Sequence, residues 1–329
     1  MATTALYPLR FQTIFRRYIW GGRRLATSLG KSLGPGNDWA EAWEIADHGD
    51  DQSAIEFGPL AGTTLHQLVE RQGEALLGQH APRPSFPLLL KFLDGSRTLS
   101  VQVHPNDAQA AALDPPDAGK TEAWYVVEAL PDSVIYAGLR TGVTRDDFSA
   151  AIRRGACEEC LHSFPAAEGD CIFVPAGTVH ALGAGLLVAE IQQSSDTTYR
   201  LFDWNRPGPD GIPRPLRTEE GLAVIDFARG PVSPSQPRPT DRSYVKRLVE
   251  CDKFFWDRWT LDAPQTIGGD ARCHIITVLE GVAQIEGDPA PSALPRGSSA
   301  LLPASLGPVR LSPQGSTVLL DAYLPSVGK

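Results

Sequence analysis

The chain has 329 residues, 42% hydrophobic and 21% charged, which are the proportions of a folded globular protein with room for two buried cores. Its 39 acidic against 30 basic side chains give a formal net charge of −9 at pH 7, which argues against nucleic acid or an acidic membrane surface as partner. No apolar run approaches the roughly 20 residues of a membrane span, the amino terminus reads as free of a secretory leader, and five cysteines in a chain this long point to a reducing cytoplasm rather than a disulfide framework.

Residues 1 to about 95 read as opening strands joined by loops, with Gly-rich Leu29–Gly36 as one such loop. Gly62-Thr63-Thr64-Leu65 opens a helix running to about Leu77 under a Thr cap. Phe86 to Leu93 is strongly apolar. In Thr98–Pro105, Leu99, Val101 and Val103 alternate with Ser100, Gln102 and His104. A strand therefore projects Gln102 and His104 side by side, opposite the aliphatic residues. That polar face suits either solvent or the lining of a barrel. Asn106–Leu113 reads as a short helix or turn. Lys120–Glu128 begins with charges and becomes a β-rich run in which Lys120, Glu122, Trp124 and Val126 share a face. A carboxylate beside Trp and Val is costly to bury unless it is paired or bound to metal. Trp43 and Trp124 read as core.

A second helix is expected over Arg145–Arg154, capped by Thr144, with Asp146 and Asp147 in its first turn. Cys157-Glu158-Glu159-Cys160 has no second cysteine pair at a zinc-site spacing and reads as incidental thiols. From Gly169 the chain reads Gly, five residues, Pro175-Ala176-Gly177, two residues, His180. The first Gly permits a turn, Cys171–Val174 has strand length, and Pro-x-Gly ends the strand. His180 then sits where the next strand begins, either as a metal ligand or as a partly buried hairpin histidine. Gln102, His104, Glu122 and His180 make an N/O ligand set suited to Zn²⁺, with Fe, Mn or Co open. Beside such a metal, Lys120 suits proton transfer or phosphate binding. Lys91 and Arg97 read as phosphate ligands or solvated surface, and Glu190 as an acid/base or substrate ligand.

Gly230–Pro239 holds four prolines and reads as an extended linker. Beyond it the pattern partly repeats. His274–Gly287 resembles Glu122–Gly138, and Gly297 precedes Pro303 as Gly169 precedes Pro175. Five residues after Pro303 stands Pro308, where the first copy has His180 after Pro175. The second copy keeps the punctuation without the ligand, and His274 reads as structural.

The Gly169–His180 stretch resembles the second half-motif of a cupin barrel. Phe86–Asp107, Gly119–Val126, Gly169–Gly183 and Glu190–Arg206, with Tyr18–Leu25, Glu41–His48 and Gly58–Val69, together resemble the type I mannose-6-phosphate isomerases, from about residue 7 to about residue 228. That resemblance implies an all-β fold with a few helices, built as two cupin-type jelly-roll barrels, the second degenerate. The divisions expected are a catalytic metal-binding domain at 1–229, a Pro-rich linker at 230–242 and a metal-free cupin-like domain at 243–329. It implies one Zn²⁺ per chain and interconversion of mannose 6-phosphate and fructose 6-phosphate through a cis-enediolate. Arg200 matches the family's catalytic arginine; a guanidinium does not act as a base at neutral pH, so charge stabilisation or positioning is its role. The partner expected is a small sugar phosphate, with the chain a cytoplasmic monomer or weak homodimer. Competing readings are an isomerase or epimerase of another sugar phosphate, an iron cupin dioxygenase, and a non-catalytic sugar sensor; the Arg200 segment and Gly119–Trp124 favour the first-named isomerase.

Overall fold

The apolar run ending at Leu93 becomes the strand Leu88–Gly95, buried along its whole length. The computed structural model describes residues 4–208 and 211–327. In it, this strand lies between Trp39–Ile45 and Leu186–Gln193 in a six-stranded antiparallel sheet. Glu122–Ala129 and then Cys171–Val174 follow on one side, and Ile14–Gly22 closes the other edge. A five-stranded sheet faces it, ordered Tyr199–Phe202, Val101–Val103, His180–Leu182, Val134–Leu139, Leu161–Pro165. Leu93, Trp124, Val126 and Val188 from the first sheet meet Ile135, Ala137 and Leu182 from the second in one apolar cluster. The expected barrel is thus a pair of facing sheets, and the all-β class with few helices holds.

The carboxy-terminal third repeats this plan. A six-stranded sheet runs Arg238–Pro239, Val245–Glu250, Phe255–Leu261, Thr317–Tyr323, His274–Glu280, Ser299–Leu302. It faces a four-stranded sheet across Trp259, Ile276, Val278 and Leu319 on one side and Ile267, Ile285 and Leu311 on the other. The two six-stranded sheets are joined through their outer faces. Leu90, Phe92, Tyr125 and Ala189 share a cluster with Trp256, Ile275, Leu301 and Leu320 of the second unit, and with Leu65, Leu68 and Leu76 of a helix. Tyr125 and Trp256 meet edge to face, 6.5 Å between ring centroids. Burial on both faces removes the hydrophobic–polar alternation that a half-exposed strand shows, which is why Leu88–Leu93 is apolar on both faces except at Lys91.

The helices begin where their caps place them. Leu65–Leu77 starts under a reciprocal Thr64–Gln67 capping box, and Arg145–Arg154 under Thr144–Asp147, ending on Gly155 with φ +68°. Asp107–Ala110 is a single turn capped by Asn106. Thr218–Val224, a helix whose first turn has no side-chain cap, covers the five-stranded sheet together with Arg145–Arg154. No helix among the described residues is long and apolar enough to cross a membrane. The Pro-rich run is bonded to both units: Val232 N–H donates to Ala137 O at 3.0 Å, and Arg238–Pro239 pairs with Lys246–Arg247. The start of the chain also reaches the second unit. Leu9 and Leu301 exchange both backbone hydrogen bonds at 2.8 Å, and Arg10 is ion-paired to Asp288.

His274 is buried at 4% exposure, its Nδ1 2.9 Å from Asp321 Oδ1 and its Nε2 3.2 Å from Asp270 Oδ1. Burial opposes the imidazolium, but Asp321 and Asp270 outweigh it and raise its pKa to about 9. A histidine whose pKa rises on folding stabilises the fold fully below its unfolded value of 6.5 and loses that contribution as pH climbs through about 9. His274→Gln should therefore cost on the order of 2–3 kcal/mol in acid and much less in alkali. Urea unfolding of both proteins on either side of this window checks it; an equal loss at both ends would mean His274 is held neutral.

Candidate active site

Polar side chains from both sheets converge at one end of the first sandwich. Gly169 and Gly177 take φ of +88° and +83°, the left-handed conformation that their places in the motif require. The turn after Pro175 hands the chain directly into His180–Leu182, and register sets His180 opposite Gln102. Val101 and Val103 lie under the helices of the outer face, so Gln102 and His104 face the interior, which decides between solvent and lining. Leu99 precedes the strand and breaks the alternation, joining the interior cluster with Trp124. Glu122 opens its own strand beside Val174 and Gln192. One donor atom from each of His104, Glu122 and His180 lies within 4.8 Å of the others, and all three residues are buried.

The rings are locked in one tautomer. His104 Nδ1 is 3.0 Å from Thr197 O and His180 Nδ1 is 2.8 Å from Thr178 O. A carbonyl only accepts, so both Nδ1 atoms donate and both Nε2 atoms carry a lone pair toward the interior. Burial lowers the pKa of both imidazoles, aided at His104 by Lys120 and His180, and takes His180 to about 3. Both are therefore neutral. His180 Nε2 and Glu122 Oε1 stand 3.3 Å apart, and neither finds a hydrogen-bond donor among the described residues. Two buried lone pairs facing each other are an unpaid desolvation cost that a cation removes. The donor set, two imidazole nitrogens and a carboxylate oxygen with Gln102 alongside, fits a divalent metal ion.

Around this cluster the charges interlock. The Lys120 ammonium donates to Glu122 Oε2 and lies 3.1 Å from His104 Nε2 and 3.7 Å from Glu190 Oε1. Lys91 lies 3.2 Å from Glu190 Oε1 and 3.6 Å from Glu41 Oε2. Burial acts against its charge, yet Glu190 and Glu41 hold its pKa above the ordinary lysine range. Burial and Glu190 push Glu122 up to about 7, while Lys91 and Lys120 overcome burial to pull Glu190 down. Trp124 Nε1 donates to Glu190 Oε2 at 3.0 Å and Trp43 Nε1 to Glu41 Oε2 at 2.6 Å. The two tryptophans read as core are core, and they also orient the carboxylates.

These groups open into a cavity of about 290 Å³. Arg200 enters it from Tyr199–Phe202, set opposite Gln102, with its Nε 3.3 Å from Ser100 Oγ and its Nη1 3.0 Å from Pro215 O. It has no carboxylate partner among the described residues. Burial and neighbouring Arg214 both disfavour its charge, a repulsion that an anion would relieve. The structure brings Gln102, Lys91, Lys120, Glu190 and Arg200 to this cavity; Arg97 is exposed and does not line it. Glu41, Asp196, Tyr18 and Arg214 line it and were not singled out in the sequence. Glu41 is signalled only by a carboxylate in the apolar strand Trp39–Ile45. Arg214, held in two hydrogen bonds of 2.7 Å by Asp203, comes from an irregular segment with no periodicity to mark it.

The chain as a whole is similar to known proteins. The family model "Phosphomannose isomerase type I, catalytic domain" covers residues 8–125, and "Mannose-6-phosphate isomerase, cupin domain" covers 244–320. The mannose-6-phosphate isomerase ManA of Bacillus subtilis (strain 168) is 35% identical over 305 residues, 92% of this chain and 95% of that one. The mannose-6-phosphate isomerase of Streptococcus mutans is 32% identical over 303 residues, 91% and 93% of the two chains. A crystal structure of the Bacillus subtilis mannose 6-phosphate isomerase aligns with a TM-score of 0.88 at 28% identity, over 96% of this chain and 99% of that one. The apo form of the Salmonella typhimurium enzyme, at 18% identity and a TM-score of 0.74, shares the fold. With relatives this similar along nearly its whole length, the chain belongs to the type I mannose-6-phosphate isomerases, a family of aldose–ketose isomerases.

Proposed function

We propose that this chain interconverts mannose 6-phosphate and fructose 6-phosphate with one zinc ion per chain, held by His104, Glu122, His180 and Gln102. The observation that carries the reading is the pair of neutral, Nδ1-anchored imidazoles facing Glu122, joined through Lys120 to a cavity that also presents Lys91, Gln102 and Arg200. When bound, a divalent cation there supplies Lewis-acid polarisation of the sugar oxygens. The chain's own residues do the rest. A proton leaves C2 of the aldose, a cis-enediolate spans C1 and C2, a proton is returned to C1, and the O2 proton moves to O1. Lys120, which lies against both His104 and Glu122, takes the C2 proton in its neutral amine form and returns it to C1. Arg200 stabilises the charge that develops on the enediolate. Lys91 and Glu190 hold each other and fix the substrate's position. We assign residues 1–229 to catalysis, 230–242 to the connection and 243–329 to a metal-free supporting domain, in a cytoplasmic monomer or weak homodimer.

A coupled assay on mannose 6-phosphate tests this directly. Chelation should abolish turnover and zinc should restore it; full activity in a demonstrably metal-free sample would remove the metal from the mechanism. His180→Ala should lose bound metal, by elemental analysis, together with activity, while circular dichroism stays native because the core clusters are apolar.

Arg200→Ala separates chemistry from metal binding. Zinc content should be retained while kcat falls about 10²–10³-fold, the range for removal of one preorganised charge-stabilising group. Arg200→Lys should recover only part of it, lacking the planar fork. A rise in KM at constant kcat would instead assign Arg200 to phosphate binding.

A further inference from the structure

The two six-stranded sheets carry their strands in the same spatial order, so their registers superimpose. In the first, Glu190 sits between Lys91 and Trp124, two residues along from Glu122. In the second, Asp321 sits between Asp257 and Ile276, two residues along from His274. Asp321, Asp257 and His274 thus occupy the places of Glu190, Lys91 and Glu122. This mouth also opens into a cavity, of about 210 Å³. Both nitrogens of His274 face carboxylates, Asp321 and Asp270, and leave no lone pair for a metal.

The charges inside this mouth satisfy one another. Arg247 donates to Asp257, Tyr323 Oη donates to Asp257 Oδ2 at 2.8 Å, and Arg272 Nε donates to Asp270 Oδ2 at 2.8 Å. Two groups remain unmatched. Trp259 lines the cavity at 3% exposure, and its Nε1–H has no acceptor among the described residues. A buried indole N–H without an acceptor is rare, because it forfeits a hydrogen bond made in water. Arg242 lies over the Trp259 ring at 5.5 Å and donates to Thr266 O at 3.2 Å, and it makes no ion pair among the described residues. The unmatched groups are therefore a buried donor and an exposed cation stacked over the same ring. The carboxylates of Asp257 and Asp321 retain acceptor capacity for hydroxyl groups.

We propose that the mouth of the second sandwich binds a small hydroxylated anion, a polyol carrying one phosphate or carboxylate. Trp259 Nε1 and Arg242 take the anionic group, and Asp257 and Asp321 accept from hydroxyls. The site is separate from the metal cluster and holds no residue assigned to isomerisation.

Titration calorimetry on the zinc-loaded enzyme tests it, with glucitol 6-phosphate, gluconate and inorganic phosphate as probes. Glucitol 6-phosphate lacks a carbonyl and is not turned over. It should bind at two sites per chain. Arg242→Ala and Trp259→Phe should each weaken one of them by about tenfold or more, with kcat and KM for mannose 6-phosphate unchanged. Arg242 is exposed, so its variant folds whatever Trp259→Phe does. Gluconate binding at the second site without phosphate binding would identify the anion as carboxylate, and the reverse a phosphoryl group with its polyol. Inorganic phosphate binding there as tightly as glucitol 6-phosphate would overturn the polyol recognition. Failure of both glucitol 6-phosphate and gluconate to occupy a second site in the unmodified enzyme, or a second site that neither variant alters, would overturn the proposal.

Discussion

Two lysines and three carboxylates are held out of water on neighbouring strands, and none of the five is tolerable there without the others. Lys91 depends on Glu190 and Glu41, and Lys120 on Glu122 and Glu190. The indoles of Trp43 and Trp124 supply the remaining hydrogen bonds. Removing one member of such a network strands an uncompensated charge, which costs more than the network's net contribution to stability. The dry environment that makes the network demanding also strengthens any interaction aimed at a substrate's developing charge. The sheet provides it by being covered on both faces, one by the opposing sheet and one by the second sandwich.

The parts of this site written in local sequence were readable. Gly169, Pro175 and Gly177 constrain backbone angles, so the position of His180 follows from the turn alone. Gln102 and His104 follow from a period of two, and Glu122 from a carboxylate placed among Trp and Val. What pairs across the sheet was not readable. The contact of Glu41 with Lys91 depends on a register between strands far apart in the chain, complicated by a shift between Trp43 and Ile45. Arg97 looked equivalent to Lys91 in the sequence, yet it stands beyond the end of its strand, where its side chain is in solvent. The Gly and Pro punctuation of the second sandwich was readable as a degenerate repeat, but the contents of its mouth were not, because the register that sets Asp321 between Asp257 and Ile276 depends on strand order.

The two mouths show how one scaffold accommodates different chemistry. Each places an ionisable side chain at the start of the strand beside the central one. In the first, both histidines spend Nδ1 on backbone carbonyls and keep Nε2. In the second, the single histidine faces carboxylates at both nitrogens and is a permanent cation at neutral pH. Metal competence therefore rests on what the outer ring nitrogen meets, as much as on having a histidine.

The bridge between Leu9 and Leu301 has a consequence for biosynthesis. The segment around Leu9 is made long before Ser299–Leu302, the strand that holds its backbone partner. At about 5–20 residues per second, that partner arrives only after tens of seconds. During that interval the apolar back of the first sheet, from Leu90 to Tyr125, lacks the surface that covers it in the finished molecule. Contacts between residues this far apart in sequence also carry a large loop-closure entropy, so they form late. The first sandwich thus passes through a stage in which this surface is exposed, which ends when the second sandwich has been made and docks on it.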